Sequence, residues 1–202
     1  METLKLGFLA SHGGSNVNAI IQAYENGQLL AVPSVVISNN SGATALEHAR
    51  SAGLPAYHIS ANAHPDPEEL DQQILHALRK HEVNLVILAG YMKKIGPQTL
   101  HAYSGRILNV HPSLLPRHGG HGMFGRAVHE SVLQSGDEMT GVTIHLVNEE
   151  YDEGAIAAQF EVPVMPGDTV DTLAARVLAQ EHFAYAETIN RIARGEIDLD
   201  KL

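Results

Sequence analysis

The chain has no cysteine and no tryptophan. Without cysteine there is no disulfide scaffold and no thiolate metal site. Basic charge is also short: 13 Lys and Arg stand against 23 Asp and Glu, a formal net charge of −10. That balance speaks against bulk attraction to nucleic acid or to an anionic membrane. No run reaches about 18 apolar residues, and no charged segment leads into a long apolar one near Met1. A cytoplasmic protein is expected. No internal repeat, low-complexity tract or linker breaks the 202 residues, which suit a single domain over 1–202. Two nucleotide signatures are missing as well. Neither G-x-x-x-x-G-K-[ST] nor G-x-G-x-x-G occurs at the Gly-rich turn near the start. The second apolar run, Val32 to Ile37, ends in Ser38-Asn39-Asn40-Ser41 rather than in the acid that would hold a ribose, which argues against NAD.

What is present is an alternation of short apolar runs and helical periods. Leu4 to Leu9 leads into Ala10-Ser11-His12-Gly13-Gly14-Ser15-Asn16, after which Val17, Ile20, Ile21 and Tyr24 recur at helical spacing. Such a turn presents backbone N–H groups at a helix N-terminus, where an anion is stabilised. Ser15 or Asn16 is the expected cap. Further helices are expected over Thr44 to Ala52, from the opening stretch Pro65-Asp66-Pro67-Glu68-Glu69 to near Lys80-His81, and over Pro97 to Tyr103. Strands are expected at Ala56 to Ile59, Val83 to Leu88 and Arg106 to Leu108. This order predicts an α/β fold with a doubly wound, mostly parallel sheet. Beyond Phe124 to Gln134, read as a helix, Gly141 to Val147 alternates with period two. With Ala155 to Val162 it predicts an antiparallel hairpin. Thr169 to Arg194 reads as one long final helix, capped by Asp168 or Thr169, with Leu173, Val177, Phe183 and Ile189 facing the core.

Chemistry concentrates at Asn109-Val110-His111-Pro112-Ser113-Leu114-Leu115-Pro116. Residues two apart on an extended strand point the same way, so Asn109 and His111 reach one volume. Pro112 and Pro116 stiffen the exit. Asp152 follows in the acidic loop Asn148 to Gly154. A carboxylate beside an imidazole orients it and stabilises its cation, and an amide NH2 beside both can donate to an oxyanion. No serine or cysteine nucleophile has an obvious partner, so the parts suit acyl transfer between small molecules.

With Asn109 to Pro116, Thr140-Gly141-Val142-Thr143-Ile144-His145 and Tyr151-Asp152-Glu153-Gly154 in place, the chain resembles the folate-dependent formyltransferase family along nearly its whole length. The resemblance implies a Rossmann-like formyltransferase fold and a donor, 10-formyltetrahydrofolate, with no metal. It implies as acceptor the amine of glycinamide ribonucleotide, and a place in purine biosynthesis. Asn109, His111 and Asp152 match the family's catalytic trio. Gly14, Ser15 and Asn16 match its phosphate-binding turn, and Glu181 matches an acid that contacts the acceptor. Met92, Lys93 and Ile95 match the segment that holds the pterin, with Lys93 where the family often has Arg. Small-molecule partners and a monomer or homodimer are expected.

Other readings stay open on the sequence alone. A deformylase shares the trio behind an extra N-terminal domain, and a methionyl-tRNA formyltransferase shares it ahead of a tRNA-binding one; this chain is expected to carry neither. A non-catalytic phosphate-binding module would keep the Gly-rich turn but would not need His111 with Asp152. His118, His121 and His129 could form a metal site, although their spacing lacks helical i, i+4 geometry. The stretch from His118 to Gly125 is rich in glycine, and a mobile flap carrying Met123 and Phe124 over the substrates is expected there.

Overall fold

Apolar residues follow one another so continuously along the first, second and fourth strands that both faces of the sheet need cover, and the chain supplies it. The structure, a computed structural model, describes residues 3–202. In order run β1 (Lys5–Ala10), α1 (Ser15–Glu25), β2 (Val32–Ser38), α2 (Thr44–Ser51), β3 (Ala56–His58), α3 (Pro67–Lys80), β4 (Leu85–Leu88), α4 (Pro97–Ala102) and β5 (Ile107–His111). Then come α5 (Arg126–Ser135), β6 (Met139–Leu146), β7 (Ile156–Pro163) and α6 (Val170–Ala193). The strands form one seven-stranded sheet in the order β3-β2-β1-β4-β5-β6-β7. The pairs from β3 to β5 are parallel; β6 runs antiparallel to β5, and β7 antiparallel to β6. The expected doubly wound sheet, terminal hairpin and long last helix are therefore all present.

Neighbouring residues feed opposite cores. Phe8, Ile87 and Leu108 pack with Ile20, Leu46, Val177 and Tyr185 of α1, α2 and α6. Leu9, Val86 and Ile107 pack with Ile74, Leu75 and Leu78 of α3 on the other face. A near-continuous apolar strand with side chains buried on both faces is what a covered parallel sheet demands. α3 begins where expected, with the Asp66 carboxylate accepting from Glu68 N–H at 3.0 Å. Across the sheet edge, buried Asp71 accepts from the N–H groups of Gln98 and Thr99 and so pins the start of α4.

Several boundaries differ from the sequence reading, for local reasons. Residue 14, a left-handed glycine (φ 62°), is the N-cap of α1, and neither Ser15 nor Asn16 caps it. A Cβ at Gly14 would lie 2.5 Å from the Ala45 Cβ, so only glycine fits this close approach to α2. β4 starts at Leu85 because Val83 and Asn84 are still leaving the turn after α3: Val83 N–H bonds Leu78 O, and Asn84 N–H bonds Lys5 O. β5 continues to His111, so Asn109 and His111 lie within the strand rather than just past its end. α5 starts at Arg126 because glycine dominates the residues before it. Thr169, not Asp168, caps α6, in a reciprocal capping box with Thr172. Phe183 is 58% exposed, packing edge-on against Phe160 instead of entering the core. The core positions of α6 run Leu173, Val177, Ala184, Tyr185 and Ile189, a stripe that passes Phe183 by.

Tyr185 locks this helix to the sheet. It is fully buried, and its hydroxyl lies 2.8 Å from Leu88 O and 3.0 Å from Leu108 O, so its one hydrogen is shared between carbonyls of two adjacent strands. Tyr185→Phe leaves both carbonyls without that donor and should lower stability by about 1–3 kcal/mol. Chemical denaturation of the two proteins, with unchanged far-UV circular dichroism in buffer, checks it.

Candidate active site

The C-terminal edge of a parallel sheet is where strand ends and helix starts leave a crevice. Here the Gly-rich turn after β1 and the Tyr91–Ile95 segment after β4 meet. Ser11 holds them in register. Its hydroxyl donates to Asn39 Oδ1 at 2.6 Å and accepts from Met92 N–H at 2.8 Å, while its own N–H donates to Gly90 O. Met92 is half exposed at this crevice, not a core residue.

On β5, Asn109 and His111 share a face. The antiparallel register sets Asn109 opposite His145 and His111 opposite Thr143. Thr143 Oγ1 accepts from Leu115 N–H and donates to Ser113 O, fastening the exit from β5 onto β6. The Leu115–Pro116 peptide is cis. The loop after β6 folds back over this face and delivers Asp152, itself at a positive φ of 58°. Gly154 anchors the loop, because a Cβ there would fall 1.7 Å from Leu146 O.

The imidazole–carboxylate cluster has four members. His111 Nδ1 lies 3.4 Å from Asp152 Oδ2, and His145 Nε2 lies 3.5 Å from Asp152 Oδ1. Asn109 Nδ2 is 3.2 Å from His145 Nε2, and His145 Nδ1 is 2.9 Å from Leu146 O. A carbonyl only accepts, so His145 Nδ1 carries hydrogen; Nε2, set between Asn109 and Asp152, accepts one amide hydrogen of Asn109 in the neutral ring and donates to Asp152 only when the ring is protonated. The other amide hydrogen stays free. His111 Nε2 is 2.8 Å from the His118 carbonyl and carries hydrogen for the same reason. Burial lowers the His111 pKa below the usual imidazole value, although Asp152 and the His118 carbonyl pull it up. Burial pushes the Asp152 carboxyl up, but hydrogen bonding from His145, the charge of His111 and the Gly120 N–H outweigh it and hold the group below its ordinary value.

A cavity of about 1040 Å³ collects nearly all the residues singled out from the sequence: Gly14, Ser15 and Asn16, Met92 and Lys93, Asn109 and His111, Asp152, and Glu181. Ile95 lines a smaller adjoining cavity of about 100 Å³, which shares Lys93, Asn109 and Asp152 with the first. Glu181 is no solvated helix residue. Asn16 Nδ2 donates to it at 2.7 Å, and burial pushes its carboxyl up to about 7. Glu181 sits one turn before Tyr185, so the same lock that holds α6 aims it at the Gly-rich turn.

Two residues of the adjoining cavities have no place in the transfer site on the sequence reading, where His145 stands only inside a strand motif and His129 only in the metal alternative. His145 was hidden in an alternating strand, and only the β5–β6 register shows that it faces Asn109. His129 is 6% exposed, lines the cavity and leaves Nδ1 without a partner; burial lowers its pKa. The notion of a metal held by His118, His121 and His129 does not fit. The His118 ring is taken by Asp137 and Ser131, and His121 packs edge-on against Tyr151. Among the described residues no group of three or more His, Cys, Asp or Glu could hold a metal ion. Among them, too, no helix is long and apolar enough to cross a membrane.

Glu181 makes a stability prediction with a definite sign. A carboxyl raised from 4.5 to about 7 binds more protons folded than unfolded in that window. Its contribution to stability is therefore lost as pH rises from about 4.5 to about 7. Glu181→Gln should be more stable than the parent at pH 8, by up to about 3 kcal/mol, and the gap should shrink towards pH 5. Denaturant midpoints across that range measure it.

Comparison with known proteins agrees with the geometry. A family model described as formyl transferase matches residues 4–189. The chloroplastic phosphoribosylglycinamide formyltransferase of Vigna unguiculata is 41% identical over 194 residues, covering 96% of this chain and 62% of that protein. The chain thus spans under two thirds of that relative's length. The phosphoribosylglycinamide formyltransferase of Escherichia coli K12 is 37% identical, covering 95% of this chain and 88% of that one. The crystal structure of glycinamide ribonucleotide transformylase 1 from Symbiobacterium toebii superposes with a TM-score of 0.88 at 39% identity, over 96% of this chain and 89% of that one. A match over so much of the chain, joined to the cluster on β5 and β6, makes this chain a member of the formyl transferase family.

Proposed function

We propose that the protein transfers a formyl group from 10-formyltetrahydrofolate to the amine of glycinamide ribonucleotide, a step of purine biosynthesis. The observation that carries the reading is the convergence of Asn109, His111 and Asp152 in the cavity that also holds the Gly-rich turn. The names of the Vigna, Escherichia and Symbiobacterium relatives support the same acceptor.

In this reading the ribonucleotide's phosphate lies on the N–H groups of Gly14, Ser15 and Asn16 at the start of α1. Glu181 contacts the acceptor from α6. The pterin lies along Met92, Lys93 and Ile95, and the two substrates meet at Asn109. The neutral amine attacks the formyl carbon; a new N–C bond forms and the carbonyl becomes an oxyanion. The free amide hydrogen of Asn109 and the Nε2 hydrogen of His111 donate to it. As negative charge develops, the proton affinity of His111 rises, and the Asp152 carboxylate at Nδ1 stabilises the cation. The bond to the folate nitrogen then breaks. The attacking nitrogen gives up its proton and the leaving nitrogen gains one, relayed by water beside Asp152. Residues 118–125 act as a flap, bringing Met123 and Phe124 over the ligands and excluding water that would compete for the formyl carbon.

Tetrahydrofolate release should require the ribonucleotide; equal release without it would make the protein a hydrolase. His111→Ala and Asp152→Asn should each fold normally and lose about 10²–10³-fold in turnover. Backbone hydrogen exchange across 118–125 should slow when both ligands are bound, and unchanged exchange would remove the flap.

A further inference from the structure

His118 stands outside the reacting cluster, yet its main chain touches that cluster directly. We propose that His118 and Asp137 form a second histidine–aspartate pair whose task is to position His111, acting through the His118 carbonyl. The inference rests on the formyl-transfer reading above.

The connection is short. His111 Nε2 donates to His118 O at 2.8 Å, and two residues later Gly120 N–H donates to Asp152 Oδ2 at 3.0 Å. One stretch of backbone therefore holds both members of the catalytic pair. It does so from a costly conformation, because His118 has φ 54°, and a non-glycine residue there carries about 1–2 kcal/mol of strain. The side chain supplies the restraint. Its Nε2 lies 2.8 Å from Asp137 Oδ2 and its Nδ1 lies 2.8 Å from Ser131 Oγ, so both ring nitrogens are engaged and the ring is nearly buried. Asp137 is held in turn by Arg117 on its other oxygen, and Ser113 Oγ donates to Arg117 O at 2.6 Å. The hydrogen bond from His118 leads the causes that keep the Asp137 carboxyl below its usual value. Ser131 and Asp137 belong to α5 and to the turn that follows it. The brace thus ties the base of the loop to a rigid element, and leaves 121–125, beyond the Gly120 contact, as the part of the flap that moves.

Such a carbonyl is more than an anchor. It keeps hydrogen on Nε2, the atom that faces the formyl oxygen, and leaves Nδ1 to Asp152. It is also a matched competitor. A formyl oxygen in the ground state accepts about as well as a peptide carbonyl, so substrate gains little by displacing it. A developing oxyanion accepts more strongly and takes the hydrogen over. The donor is then won only in the transition state, where it lowers the barrier. The titratable side chains facing His111 are Asp152, His145, His118 and His129, of which Asp152 alone is anionic.

The test compares His118→Gly, in which positive φ costs nothing and only the ring is lost, with His118→Gln and Asp137→Asn. His118→Gly should lower kcat about tenfold, the rate equivalent of one ordinary hydrogen bond. KM for donor and acceptor should stay within about twofold. The carbonyl favours the His111 cation, so its displacement should move the His111 limb of the pH–rate profile to lower pH. His118→Gln should recover part of the loss, and Asp137→Asn should share its direction. Nitrogen-15 NMR titration of His111 in the ligand-free protein should show the same downward shift, whatever reaction the protein catalyses. Absence of formyl transfer in the parent would end the functional reading, and the NMR titration would still decide the positioning. An unchanged His111 titration with unchanged kcat would overturn the proposal. A rise in kcat would overturn it too, by making the carbonyl a mere obstacle. If His118→Gly loses its fold, Asp137→Asn carries the same expectations.

Discussion

Asn109 lies opposite His145, and His111 opposite Thr143, because β6 runs antiparallel to β5. Almost everything at the site follows from that register. The last two strands face each other directly across it, so one sheet face carries an amide, two imidazoles and a threonine within hydrogen-bonding distance of one another or of the backbone between them. A slip of β6 by one residue would turn His145 and Thr143 to the opposite face and leave Asn109 and His111 without them. The slip is prevented from several sides. Val142 and Ile144 are buried in the α6-side core, and Thr143 Oγ1 bridges Leu115 N–H and Ser113 O. Gln159 of β7 adds a bond to Leu115 O.

Around that junction the fold keeps its other polar parts in place with few, well-satisfied groups. Ser11 couples three strand ends with one hydroxyl, and Tyr185 couples a helix to two strands with another. Each is buried, so each would be expensive if unpaired. Glu181 is the exception in kind. It is a carboxyl with one amide partner, left with a raised pKa in the cavity wall, and such tension between burial and charge is characteristic of groups that meet a ligand.

Much of this was legible before any coordinates. Strand and helix order came from periodicity, and the doubly wound class followed. Asn109 and His111 were marked by their spacing alone, and Asp152 by its loop. The family resemblance supplied Gly14 to Asn16, Met92, Lys93, Ile95 and Glu181, all of which line the two adjoining cavities. What escaped was of one physical kind: facts fixed by contacts between distant segments. His145 looks like any residue of an alternating strand until its partner strand is known. Phe183 has a core composition but lies off the buried stripe of α6, one residue from Ala184. The α1 cap is Gly14 because Ala45 crowds the turn, a neighbour no local pattern reveals. His118 offered a nitrogen and suggested a metal, whereas its contribution comes through its carbonyl.

The anchoring glycine of the acidic loop has a wider consequence. A side chain at residue 154 would run into the Leu146 carbonyl, so the chain has to cross β6 there as bare backbone. Glycine two places after the aspartate acts as a ruler: it fixes where the loop turns, and hence how far the carboxylate reaches back over the sheet. Aspartate-any-glycine is then a mark of geometry. A sequence carrying it beside an asparagine and histidine of this spacing declares a carboxylate poised over an imidazole, and is silent about what is brought to that pair. What is brought to that pair is set by other elements, the Gly-rich turn and the residues of α6 that line the same cavity.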